Sequence, residues 1–96
     1  MSQKAIGWAL SKTGISWQAK FVLVLLAHHH DESTGFCNPT KSILAEQSGF
    51  PQQMIGRYTK QLKDIGFIKK RPRYDENDAQ IANHYWLQME NDGVAI

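Results

Sequence analysis

The spacing of hydrophobic positions changes along the chain, and each change marks an element. Between residues 17 and 29, Trp17, Phe21, Val24, Leu25 and His28 recur at helical spacing, and Leu23 and Leu26 widen the stripe. Ser16 stands where its hydroxyl can accept an amide proton of the first turn. The pattern predicts a helix over 17–29 buried on most of its girth. The β-branched residues are compatible with a strand, but the uninterrupted length favours the helix. Residues 31–35 are a polar loop, and Phe36 with Cys37 is a candidate short extra strand. Thr40 supplies a second N-cap, followed by a helix over 41–48 with Ile43, Leu44 and Gln47 facing inward. Gly49 stops that helix, because the residue just past a helix end commonly needs left-handed backbone. Phe50 plugs the turn, and Pro51 opens a third helix where a missing N–H costs nothing. Ile55, Thr59 and Leu62 form its inner stripe, flanked by Tyr58 and Ile65, and Gly66 ends it.

Beyond Gly66 the period falls to two. Residues 67–71 read as a strand, Pro72 as an edge, 74–79 as a polar connector, and 81–87 as a returning strand with Tyr85 and Trp86. At the other end Ile6, Trp8 and Leu10 alternate with small residues, which suits a short strand or an apolar arm. The expected architecture is α+β, mainly α: three helices plus a C-terminal β-hairpin. No repeat or Gly/Ser/Pro-rich linker divides the chain, so one domain is expected over 1–88, with 1–14 as an arm and 89–96 as a flexible acidic tail.

The 96 residues are 42% hydrophobic and 21% charged, an ordinary globular balance that argues against wholesale disorder. The longest apolar run, residues 21–27, is far short of the roughly 18 that suggest a membrane span, and residues 1–10 lack a signal-peptide pattern. Cys37 is the single cysteine, so no internal disulfide forms and the cytoplasm is the default compartment. The net charge of +2 hides a sharp division. Residues 52–74 carry seven basic side chains and one acid, whereas 75–96 carry five acids and no Lys or Arg. A basic stretch in mid-chain is a candidate polyanion footprint, with a solvated face as the plain alternative. The acidic end is a candidate recruiter of a partner, or a cover for the basic face.

Two helices separated by a Gly-containing turn, the second one basic, describe a helix-turn-helix. A hairpin follows at once, and its first strand bears Lys69, Lys70, Arg71 and, just beyond, Arg73. A helix with its side chains fills a B-form major groove, where base edges are distinguishable, and an adjoining ribbon reaches neighbouring phosphates or the minor groove. The chain resembles the winged helix-turn-helix domains common in phage and plasmid replication and regulatory proteins. The resemblance rests on residues 20–27 (KFVLVLLA), on Gly35-Phe36-Cys37-Asn38-Pro39-Thr40, on Ile43-Leu44-Ala45 and on Ser48-Gly49-Phe50. It continues through Leu62-Lys63-Asp64-Ile65-Gly66-Phe67-Ile68 and ends at Asn83-His84-Tyr85-Trp86-Leu87. It implies duplex DNA binding with the third helix as reader, but not which process is served; an origin-binding domain or a transcriptional regulator is the leading expectation. The family usually opens that helix with Ser or Thr; Pro51 suits the geometry here but donates nothing to a phosphate.

Gln52, Gln53, Arg57 and Lys60 project from the outer face of the third helix. Gln pairs two-fold with adenine and Arg with guanine, so Gln52, Gln53 and Arg57 are the candidate base readers. Thr40 and Lys41 open the second helix, whose amide end suits a phosphate oxygen, although a plain cap and a surface lysine explain them equally. Lys69, Lys70, Arg71 and Arg73 alternate, so not all of them face one way. Gly56 in mid-helix costs about 1 kcal/mol against alanine, which points to close approach of the helix backbone to DNA, or else to another helix.

Three further features weigh little. His28, His29 and His30 stand about 100° apart on a helix end and cannot converge on one metal ion; as cations they suit the helix dipole. Trp8, Trp17 and Trp86 read as core rather than as stacking platforms for single strands. No nucleophile–base pair, phosphate loop or metal set points to an enzyme, and no cofactor is implied. The expected partner is double-stranded DNA, with replication or transcription proteins as further candidates and no membrane. A homodimer is compatible, but no heptad or long C-terminal helix supplies its interface. The competing class is a winged-helix protein-interaction module without base readout.

Overall fold

The structure, a computed structural model, describes residues 3–72 and 83–89. Its elements in chain order are α1 (Gln3–Ser11), α2 (Trp17–His29), α3 (Lys41–Ser48), α4 (Gln52–Ile65), β1 (Ile68–Arg71) and β2 (His84–Leu87). Three helix starts and stops follow from local chemistry. The Ser16 hydroxyl accepts from Ala19 N at 3.2 Å, and the Thr40 hydroxyl from Ile43 N at 3.0 Å. Pro51 precedes α4 with extended backbone and no side-chain cap. The end of α4 is closed by Gly66 at φ 92°, with the Gly66 amide donating to Lys63 O at 3.1 Å and the Phe67 amide to Leu62 O at 3.0 Å. That paired closure needs the left-handed backbone that glycine adopts without steric cost.

Four helices stand where three were expected. Residues 3–11 form α1, not a strand or an arm. The alternation of Ile6, Trp8 and Leu10 misleads because alanines make the core contact: Ala5 and Ala9, one turn apart, are fully buried, while Leu10 is 56% exposed. Small side chains let α1 approach α2 closely, and the larger residues lie to the sides.

The buried face of α2 also differs from the stripe expected. Ala19, Val22, Leu23, Leu26 and Ala27 are buried, whereas Trp17 is 67% exposed and Phe21 lies at the surface. The helix is apolar almost all round, so periodicity alone does not select a face. In α3 only Leu44 is buried; Ile43 is exposed, and Gln47 lies outside, its Oε1 2.8 Å from His29 Nε2. The inner face of α4 is Ile55, Tyr58, Thr59 and Leu62 against α2 and α3, with Ile65 outside.

β1 and β2 pair antiparallel, with Ile68 opposite Leu87, Lys69 opposite Trp86, Lys70 opposite Tyr85 and Arg71 opposite His84. Ile68, Tyr85 and Leu87 are buried against the helices, so Lys70 shares the inward face. The extra strand expected at Phe36 and Cys37 is reduced to two single bridges, Asp31 with Phe36 and Cys37 with Tyr85. Phe36 stacks on His84 with ring centres 4.2 Å apart and 31° between planes. The connector 74–79, the start of the second wing strand at 81–82, Arg73 and the acidic residues 90–96 lie outside the described residues.

Candidate nucleic-acid interface

Because Ile55, Tyr58, Thr59 and Leu62 fix the inner side of α4, the opposite side is set by the 3.6-residue period. Gln53, Arg57 and Lys60 are exposed there, and Gln52, in line with Thr59, is exposed as the first residue of the helix. The aromatic ring of Phe50 holds the entry to this helix. It lies 5.5 Å from Tyr58, 5.9 Å from Trp17 and 6.0 Å from Phe21, so the turn is anchored to both α2 and α4. Gln52 and Gln53 thus start from a rigid turn rather than a free loop.

Thr40 caps α3 as an acceptor, which leaves its hydroxyl proton to donate, and is half-buried, while Lys41, next to it, is exposed. The Lys41 side chain crosses to α4: its Nζ lies 3.5 Å from where a β-carbon on Gly56 would stand. At that distance a β-carbon would make only ordinary contact with Lys41, so packing against the neighbouring helix does not require glycine at residue 56.

The strand alternation divides the wing residues. Lys69 and Arg71 are exposed on the face opposite to the core, across from Trp86 and His84. Lys70 points inward, and its Nζ donates to Thr59 Oγ1 at 3.4 Å. Thr59 in turn donates to the Gly56 carbonyl at 3.1 Å. Burial lowers the Lys70 ammonium below its ordinary 10.5, and the positive charges of Lys41 and Lys63 push it the same way. Lys41, Lys60, Lys63 and Lys70 line one cleft of about 430 Å³ together with Gly56 and Pro72. The structure thus gathers Lys41, Lys60 and Lys70, and leaves Lys69 and Arg71 apart from them. Lys63 was missed among the candidate residues. Its signal was its place at the end of the run Gly56, Lys60, Lys63, one helical face read at spacings of four and three.

The histidines take structural places. His28 and His29 touch ring to ring at 5.2 Å, and His30 caps α2 through its amide, which donates to Ala27 O at 3.2 Å. Among the described residues, no group of His, Cys, Asp or Glu is placed to hold a metal ion, and no helix is long and apolar enough to cross a membrane.

Two helices joined through Gly49, Phe50 and Pro51, followed by a two-stranded basic ribbon, define a winged helix-turn-helix. The family model of the helix-turn-helix domain matches residues 13–68, more than half of the chain, and the chain belongs to that family. The matched segment runs from the residues before α2 to the first residue of β1. This is a DNA-binding class whose members are typically not enzymes. No curated protein matches the chain.

Proposed function

We propose that the chain binds duplex DNA sequence-specifically, with α4 in the major groove and the wing on the flanking backbone or minor groove. Gln52, Gln53 and Arg57 are the base-reading residues. Thr40, Lys41, Lys60, Lys69, Lys70, Arg71 and Arg73 position the domain on phosphates. One observation carries this reading: Gln53, Arg57 and Lys60 are exposed together on a helix whose other side is locked into the core, with Gln52 exposed at its start. Resemblance to phage and plasmid proteins supports a role as an origin-binding domain or as a transcriptional regulator. Selecting bound duplexes from a random pool tests the reading. A defined motif whose loss abolishes binding is expected, and equal retention of all sequences would refute it. A motif repeated about one helical turn apart would identify a dimer.

A second reading, docking of a protein partner, is favoured by the exposed rings of Trp17 and Phe21, which pack on the half-buried Phe50. Substituting Trp17 changes duplex affinity little under the first reading, because α4 and the wing keep their charges and Phe50 keeps its contacts with Phe21 and Tyr58.

A further inference from the structure

Four lysines from three elements line the cleft over Gly56: Lys41 from α3, Lys60 and Lys63 from α4, and Lys70 from β1, and the charges of Lys41 and Lys63 act on Lys70. Like charges brought together in a fold repel, and the repulsion grows where water is excluded. Lys70 bears most of that cost, since it is half-buried and its hydrogen-bond partner is a neutral hydroxyl. Among the described residues no carboxylate lines the cleft. The floor is glycine, so nothing but the Lys41 chain covers the α4 backbone there. A cleft with these features suits an anion. Its capacity lies in the range of small-ligand pockets, roughly 300–1,000 Å³, which leaves room for a phosphate group and part of its water.

We propose that this cleft seats a phosphate of the DNA backbone, held by Lys41, Lys60, Lys63 and Lys70, and that Lys63 is thereby a DNA-contacting residue. The inference rests on the duplex-binding reading and sharpens it. The cleft lies on the flank of α4, beside the base-reading row, so it fixes how deeply and at what angle the helix enters the groove. It contributes the same affinity to every sequence, because a phosphate carries no base identity.

The test uses the full chain with two probes, inorganic pyrophosphate and a labelled mixed-sequence duplex. Amide NMR shifts on adding pyrophosphate are expected at Lys41, Gly56, Lys63 and Lys70, and not at Gln53 or Arg57. Lys63→Gln and Lys70→Gln should each weaken duplex binding several-fold for all sequences alike. Each should also make the slope of log K against log salt shallower, by part of the roughly 0.9 that the one shared phosphate contributes. Lys4→Gln, on α1, should leave that slope unchanged. Lys63 is exposed, so its variant keeps the fold even if the Lys70 variant does not. Pyrophosphate shifts spread evenly over all lysines, or variants that bind with the parental slope, would overturn the cleft while leaving the base-reading proposal intact. Pyrophosphate bound at Gly56 and Lys70 with no duplex bound at any salt concentration would overturn both.

Discussion

Lys41 and Gly56 meet across the two helices of the helix-turn-helix, the lysine Nζ 3.5 Å from the site of an absent β-carbon. This distance is an ordinary contact, and the atom concerned is the free end of a flexible chain. Alanine therefore fits at residue 56, and the helix gains about 1 kcal/mol of propensity. Gly56→Ala is expected to raise the melting temperature by about 4–8 °C, since that much free energy shifts a domain of this size by such an amount. The added methyl meets the Lys41 chain at ordinary contact distance, so duplex affinity should stay unchanged while stability rises. Thermal unfolding and a binding isotherm on one preparation check both. A several-fold loss of affinity in the stabilised variant would mean that DNA approaches the α4 backbone at Gly56 too closely for a methyl.

Arg57 and Lys60 lie one turn apart on the exposed side of α4, yet they should respond differently to truncation. Arg57→Ala should cost about 1–3 kcal/mol on the preferred duplex and relax discrimination at one base position. Lys60→Ala should weaken binding uniformly and leave the ranking of sequences as it was. Affinities measured across a panel of single-base variants separate the two patterns. An unchanged ranking in the Arg57 variant would assign base reading elsewhere on the helix.

The parts of this molecule that were legible in sequence are those governed by local chemistry. Ser16 and Thr40 cap the helices that follow them, Gly49 and Gly66 end helices with left-handed backbone, and the bounds of α2 and α3 follow. The outward set of α4 was equally legible, because Ile55, Thr59 and Leu62 leave only one other side. What depends on tertiary packing was not. Alanines at 5 and 9 carry the contact between α1 and α2, and no hydrophobic period marks alanine as core. On α2 two apolar stripes compete, and only the fit of Ala19 and Ala27 against neighbouring helices decides between them. The lysine cleft needs the crossing of α3 over α4 and the inward turn of Lys70 at once. Neither is a property of a single segment.

Trp17 gives a direct measure of that competition. On the stripe expected from sequence it would be core, and truncation of a buried tryptophan costs about 3–5 kcal/mol. In the structure it is 67% exposed and touches Phe50 at one edge of the turn. Trp17→Ala is therefore expected to cost about 0.5–1.5 kcal/mol, the worth of a peripheral aromatic pair. Urea unfolding of the variant decides. A loss near 4 kcal/mol would restore the other face of α2 to the core.

Cys37 and Tyr85 exchange both backbone hydrogen bonds, at 2.8 and 3.0 Å, and the Cys37 thiol also donates to the Tyr85 carbonyl at 3.6 Å. Burial pushes the thiol from 9.0 up to about 12. Burial also raises the Tyr85 phenol above 10.0; the Asn83 amide, donating to its oxygen at 3.2 Å, opposes the shift in part, and a charge on Cys37 reinforces it. Above pH 9 the unfolded chain sheds its thiol proton while the folded chain keeps it, so the folded state binds more protons and loses stability as pH rises. From Cys37 alone the slope approaches about 1.4 kcal/mol per pH unit within the window from 9 to 12, and Tyr85 adds to it above 10. Lys70 acts in the opposite sense. Its lowered value means that the unfolded chain holds the extra proton, so it adds stability as pH climbs towards 10.5. The Cys37 shift is the large one and sets the sign, so the midpoint of urea unfolding should be lower at pH 10.5 than at pH 8. In Cys37→Ala the absolute stability drops, but its decline with pH should be shallower by up to one proton. Thiol alkylation supplies an independent readout: at pH 8 the folded protein should react far more slowly than the same chain in urea. Equal midpoints at the two pH values, together with rapid alkylation of the folded chain, would mean that the thiol is open to water and the bridge to Tyr85 is not formed.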